Sequence, residues 1–207
     1  VDKFLPPFKA EFTLDPEKPR TFNPLTAPDC YMEFRSIMEE AHDKVRDAYL
    51  DVARDYGRRF KREHPILELI DAEGADTLLV TTGSTTSTAR VAIRELRARG
   101  EKVGLMKIRM FRPFPADAIR DALLKTNGGS KITKVAVLDR NISHGAGGIW
   151  AQEIRAALCG VPSAPKVFSF HIGLGGRDIT PESITEAYRY TKDHEEPEKA
   201  VWIGLKK

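Results

Sequence analysis

From Asp76 onward the sequence alternates between short β-rich apolar runs and single helical stretches, and this alternation constrains the fold more than any other feature. A run at 77–82 leads into Gly83-Ser84. Residues 85–99 then carry Ala89, Val91, Ala92, Ile93 and Leu96 at helical spacing, with Gly100 as the stop. A second strand is expected over 102–110, followed by Phe111-Arg112-Pro113-Phe114-Pro115 and a helix over 115–125. A third over 131–138 passes through a glycine-rich loop to a helix over 149–158. A fourth over 166–171 is followed by Gly173-Leu174-Gly175-Gly176 and a helix starting near Thr180-Pro181-Glu182. Thr as N-cap with Pro next to it is a good start signal. Residues 200–203 close as a fifth strand.

Strands joined by single helices need crossover connections, so the sheet is expected to be mainly parallel and covered by helices on both faces. The third strand is apolar at nearly every position, the pattern of a strand buried on both sides. One edge strand is allowed to run antiparallel. The expectation is an open α/β domain with a five-stranded, mainly parallel sheet over residues 76–207.

Residues 1–75 read differently. The first 28 are rich in proline (Pro6, Pro7, Pro16, Pro19, Pro24, Pro28) with Phe4, Phe8, Phe12 and Phe22 between them. Proline blocks regular hydrogen bonding and the aromatic rings need cover, so this is an extended arm lying on its own domain or on another surface. Residues 29–62 read as one long helix with Asp29 as N-cap. Tyr31, Phe34, Met38, Ala41, Val45, Ala48, Val52 and Tyr56 fall on one stripe. Such a stripe needs a partner surface. Gly57 weakens the last turns and His64-Pro65 ends them.

Charge and cysteine content remove several function classes. Thirty-three Lys and Arg against thirty Asp and Glu give a net charge of +3, with the signs interspersed. No basic stripe for nucleic acid emerges, and nucleic acid is not expected as a partner. The apolar runs are far shorter than the roughly 20 residues of a membrane span, and no signal-peptide pattern is present. The chain opens on Val1, which fits a processing site, an expression boundary or a fragment edge. Cys30 and Cys159 are too few for a four-thiolate iron–sulfur cluster and too far apart in sequence for the usual zinc pair. Free thiols in a reducing cytoplasm are expected.

The expected strand ends carry the motifs. Gly83-Ser84-Thr85-Thr86-Ser87 has neither GxGxxG nor a P-loop lysine, and its hydroxyls suit helix capping as well as ligand contact. Gly173-Leu174-Gly175-Gly176-Arg177-Asp178 suits a tight backbone turn, with an anion contact by Arg177 as the alternative. Asp139-Arg140-Asn141 with His144 superficially resembles an acid–base group, but no nucleophile elbow accompanies it. The five histidines show no metal-ligand spacing. Phe111 to Pro115 forms a rigid aromatic and basic knuckle, suited to an interface or to filling the core. No catalytic, metal-binding or cofactor-binding residue is assigned. Arg112, Arg140 and Arg177, at expected strand ends, are the candidates for anion or partner contact.

Taken together, these motifs resemble a known family. The stretch Val103-Gly104-Leu105-Met106-Lys107-Ile108-Arg109-Met110-Phe111-Arg112-Pro113-Phe114-Pro115 is similar to the second strand and loop of the transketolase C-terminal domain. Val135-Ala136-Val137-Leu138-Asp139-Arg140-Asn141, followed by Gly145 and Gly147-Gly148, resembles its next strand and loop. Thr82-Gly83-Ser84 and Gly173 to Ile179 narrow the resemblance to the alpha subunit of pyruvate and related 2-oxoacid:ferredoxin oxidoreductases. The opening Val1 to Pro7 and the long helix are similar to the segment that joins this family's first two domains.

The resemblance implies a non-catalytic domain of an enzyme that decarboxylates a 2-oxoacid oxidatively to an acyl-CoA and carbon dioxide and reduces ferredoxin. It further implies that thiamine diphosphate, magnesium and [4Fe–4S] clusters are held by other domains or subunits, which are the expected partners, and that Arg112, Arg140 and Arg177 are this chain's candidates for contact with coenzyme A. Three rivals remain: the C-terminal domain of a transketolase or a dehydrogenase E1 beta chain, a free-standing interaction module, and a small-molecule-binding domain using the Gly83 and Gly173 loops. The Gly-Leu-Gly-Gly-Arg-Asp segment and the long helix argue against the first.

Overall fold

The computed structural model describes residues 3–22, 25–125 and 129–206. Val1, Asp2 and Pro24, named above for the arm and the family resemblance, lie outside the described residues. The chain divides into two compact units, Val1–His64 and Pro65–Lys207.

In the first unit the expected long helix is two helices, α1 (Pro28–Asp43) and α2 (Val45–Phe60), separated by Lys44. Ala27, not Asp29, is the N-cap; Pro28 takes the first turn, where its missing N–H costs nothing, and Asp29 sits beside the positive helix end. Gly57 stays inside α2, which stops at Lys61 in the left-handed conformation with its N–H on the Gly57 carbonyl. His64-Pro65 therefore follows the stop and does not cause it. Neither helix buries a single residue. The arm is partly tied down: the Phe4 ring meets Tyr56 and Phe60 edge-on at 5.7 and 5.6 Å, and Arg59 donates to the Lys3 carbonyl at 3.1 Å. Phe12 and Phe22 pack on each other at 5.8 Å, while Phe8 is 93% exposed.

The second unit is the open α/β sheet with helices on both faces. Its strands are β1 (Leu67–Ile70), β2 (Thr77–Thr81), β3 (Val103–Ile108), β4 (Lys134–Asp139), β5 (Lys166–His171) and β6 (Val201–Trp202). They lie in the order β1-β3-β2-β4-β5-β6, six strands where five were expected. The additional one is β1, which pairs antiparallel with β3 from Leu67↔Ile108 to Ile70↔Leu105; every other pairing is parallel. Local pattern missed β1 because long-range contacts hold it. Glu68 on β1 meets Arg90 at 2.7 Å and Arg109 at 2.5 Å, and the Arg109 N–H donates to the Ile66 carbonyl at 2.8 Å.

The intervening helices are α3 (Thr85–Ala98), α4 (Ala116–Leu124), α5 (Ile149–Leu158) and α6 (Pro181–Asp193). Strand residues alternate between the faces, so each face gets its own core. Leu78, Val80, Met106, Val135 and Val137 pack with Ile119 and Leu123 of α4 and Ile154 of α5. Leu79, Leu105, Ala136, Phe168 and Phe170 pack with Ile93 of α3 and Ile184 and Tyr188 of α6. Every residue of β2 is buried. Thr180 caps α6 by accepting from the Ser183 N–H, with Pro181 in the first turn, as its sequence predicts.

Candidate functional site

The chain runs from β2 outward to β3 and then returns across β2 to β4, so the strand order reverses between β2 and β4. In open α/β sheets that reversal parts the loops at the carboxyl edge and opens a crevice there. The loops after β2, β4 and β5 meet at this edge.

The loop after β4 is committed mainly to holding α5. Asp139 is fully buried, and its carboxylate accepts from the backbone N–H groups of Trp150 at 3.0 Å and Ala151 at 3.1 Å and from the Asn141 amide at 3.0 Å. The Asn141 Oδ1 in turn accepts from the Ile149 N–H at 2.9 Å. Together the two side chains satisfy the first turn of α5, where the helix dipole favours a carboxylate. Burial nonetheless pushes the Asp139 carboxyl above its usual range, against the pull of those hydrogen bonds. Gly148 is required by this arrangement: a Cβ there would lie 2.2 Å from Asp139 Oδ2. His144 stands exposed in the turn closed by the Ser143–Gly147 bridge. The Asp139-Arg140-Asn141 pattern that resembles an acid–base group is thus a capping device.

Of the three candidate arginines, Arg112 is occupied. It pairs with Glu153 at 2.5 Å and lies over the Phe111 ring at 3.9 Å. Around it the knuckle packs on α5, with Phe111 and Phe114 at 4.8 and 6.3 Å from Trp150. Phe114 joins the core and Phe111 stays at the surface, 37% exposed.

Arg140 and Arg177 are brought together. They line one cavity of about 220 Å³ with Ser84, Thr85, Thr88 and Asp178. Arg140 donates to Ser84 Oγ at 3.3 Å, and Arg177 donates to the Gly204 carbonyl. Among the described residues neither guanidinium forms an ion pair with a carboxylate. Gly173 shapes the β5 side of the edge. Its φ of 68° is left-handed, and a Cβ would strike Ile179 at 2.6 Å. Arg177 also lines a second cavity of about 160 Å³ with His171 and Trp202, whose rings lie 4.8 Å apart.

Two buried groups here, Thr85 Oγ1 and His171 Nδ1, have no hydrogen-bond partner among the described residues. Thr85 lies in the Gly83 to Ser87 stretch weighed for capping or ligand contact, whereas His171 is not singled out by the sequence analysis. The neighbouring Thr86 hydroxyl, by contrast, is paired with Thr81 Oγ1 at 3.0 Å. The available signal was positional: polar residues at the start of a helix or the end of a strand in a doubly wound sheet. Also among the described residues, no group of three or more His, Cys, Asp or Glu is placed to hold a metal ion. Cys30 and Cys159 are both free thiols.

Fold and edge together define a doubly wound α/β domain whose strand-end loops are used for capping, packing and a cavity lined by two arginines. The comparisons with known proteins give the particular family: residues 75–184, more than half of the chain, match the pyruvate:ferredoxin oxidoreductase core domain II. The chain belongs to that family, which sets aside the transketolase and E1 beta reading. Its relatives include pyruvate synthase subunit PorA of Methanothermobacter thermautotrophicus, 43% identical over 207 residues, which covers 100% of this chain and 51% of that protein. Ketoisovalerate oxidoreductase subunit VorA of Pyrococcus abyssi is 37% identical over 186 residues, covering 89% of this chain and 46% of that one. The chain spans about half the length of the curated relatives it matches. Among solved structures, the 2-oxoglutarate:ferredoxin oxidoreductase from Magnetococcus marinus with 2-oxoglutarate, coenzyme A and succinyl-CoA bound superposes with a TM-score of 0.48 at 25% identity, covering 81% of this chain and 24% of that chain.

Proposed function

We propose that this chain is the non-catalytic core-domain portion of an alpha-type chain in a thiamine-diphosphate-dependent 2-oxoacid:ferredoxin oxidoreductase. The whole enzyme would convert a 2-oxoacid and coenzyme A into an acyl-CoA and carbon dioxide, passing two electrons to ferredoxin. The observation that carries this reading is the match of residues 75–184 to core domain II. The names of the relatives, subunits of pyruvate synthase and ketoisovalerate oxidoreductase, support the 2-oxoacid class.

This chain's own share is architectural. The described residues do not fit an iron–sulfur cluster or a catalytic metal, since two cysteines are too few for a four-thiolate cluster and no group of three or more His, Cys, Asp or Glu is assembled among them. Thiamine diphosphate, magnesium and the clusters are therefore assigned to other domains or subunits, and no chemical step is routed through this chain. The apolar stripe on α1 and α2, with Phe34 55% exposed, is the surface that those partners would cover. Two free thiols suit a cytoplasmic location.

Native mass spectrometry of the chain as isolated from its source, with cofactors retained, tests the proposal. A heavier assembly carrying thiamine diphosphate and iron–sulfur chains is expected. A lone chain or a homo-oligomer without such partners would instead support a free-standing module.

A further inference from the structure

The cavity between the loops after β2, β4 and β5 has features that neither packing nor the assembly role requires. Arg140 and Arg177 line it from different loops, and among the described residues neither has a carboxylate partner, although Arg177 also donates to the Gly204 carbonyl. α3 starts at its rim without a side-chain cap and with no acidic residue in its first turn, its Thr86 and Ser87 N–H groups turning back onto the Gly83 and Ser84 carbonyls. Thr85, at the same helix start, lines the cavity, is only 3% exposed, and keeps an unpartnered Oγ1. A buried hydroxyl without a partner costs about 1–3 kcal/mol, so its retention beside two unneutralised arginines points to a ligand that supplies the missing oxygen. Asp178 is the one acidic group on the lining and leaves the charged set at a net positive sign.

We propose that this cavity is a phosphoryl-anion subsite. Arg140 and Arg177 supply the charge, and the hydroxyls of Ser84, Thr85 and Thr88 supply further donors. A tetrahedral phosphoryl group presents enough acceptor oxygens for two guanidiniums and several hydroxyls at once, and arginine forks match it bidentately. At about 220 Å³ the cavity is smaller than the roughly 300–1,000 Å³ of sites that enclose a whole small ligand, so it takes one terminal group. That group is free phosphate or the phosphoryl end of a longer molecule whose remainder lies outside.

The test is an amide ¹H–¹⁵N titration of the full chain with inorganic phosphate, pyrophosphate and acetate in turn, ionic strength being held constant with chloride. Phosphate is expected to give saturable shifts at the amides around Ser84, Arg140 and Arg177, with a Kd on the order of 1 mM. Pyrophosphate binding tighter than phosphate identifies the end of a longer ligand; equal binding identifies the free anion. Arg140→Gln is expected to weaken phosphate about tenfold and Thr85→Val about threefold, the latter with the fold unchanged because valine matches threonine in shape. Shifts that do not saturate, acetate equal to phosphate, or unaltered affinity in Thr85→Val and Arg177→Gln would overturn the proposal. Those two variants decide the question even if Arg140→Gln fails to fold.

Discussion

The two units of this chain use apolar residues in opposite ways. In Pro65–Lys207 they alternate across strands and are closed off by helices on each face, so that Leu79, Leu105 and Phe170 are fully buried. In Val1–His64 they form a stripe along α1 and α2 that is packed only at its far end, where Tyr56 meets Phe4 and Phe60, while Tyr31, Phe34, Ile37 and Met38 are all exposed. Covering one such side chain is worth about 1.5–3 kcal/mol, which a self-contained domain would have collected and this unit has not. The first pattern is that of a domain that closes its own core; the second leaves the apolar surface that the proposed assembly would cover.

Substitutions should separate the two units sharply. Phe170→Ala, in the core shared by α3 and α6, is expected to cost about 3–5 kcal/mol in denaturant unfolding. A loss below about 1 kcal/mol would mean that this core is not closed. Gly148→Ala comes next, at about 2–3 kcal/mol, because its Cβ meets the Asp139 carboxylate at 2.2 Å. Asp139→Ala removes the cap and the two closest contacts, leaving only its own Cβ at 2.7 Å, so the double variant should be less destabilised than the sum of the singles, and strict additivity would refute the capping account.

Acid should act more gently, through Glu68. Burial tends to raise its carboxyl pKa, but hydrogen bonds and charge from Arg109 and Arg90 outweigh that and hold it below the usual range. Its stabilising share is therefore complete above the unfolded value of about 4.3 and is lost as pH falls through the lower folded value. Glu68→Gln should flatten that acid limb, measured as the denaturation midpoint against pH; an unchanged slope would remove the pairing as its cause. Smallest of all, Phe34→Ser should leave the stability of the isolated chain within about 0.5 kcal/mol of wild type while weakening its assembly with partner chains.

Legibility followed the same division. The helix over 149–158 and the strand over 166–171 were readable to the residue, because strands and helices buried within one unit leave unbroken local patterns. Strand β1 was not, since Leu67-Glu68-Leu69-Ile70 is fixed by its pairing with β3 and by Arg90 and Arg109, all distant in sequence. The break at Lys44 carries no sequence signal, and nothing in the structure explains it. At the carboxyl edge, Arg140 and Arg177 were identifiable as candidates from their strand-end positions. Their convergence with Thr85, and the departure of Arg112 to Glu153, depend on how three loops fold back over the sheet.

Hydrogen exchange of the chain alone and within the proposed oxidoreductase assembly tests the contrast between the units most directly. The account predicts that β2 and β4 are strongly protected in both states, whereas α1 and α2 exchange quickly in the isolated chain and slow by at least about tenfold on assembly. Equal protection of α1 and α2 in the two states would contradict it, because their apolar stripe would then need no partner.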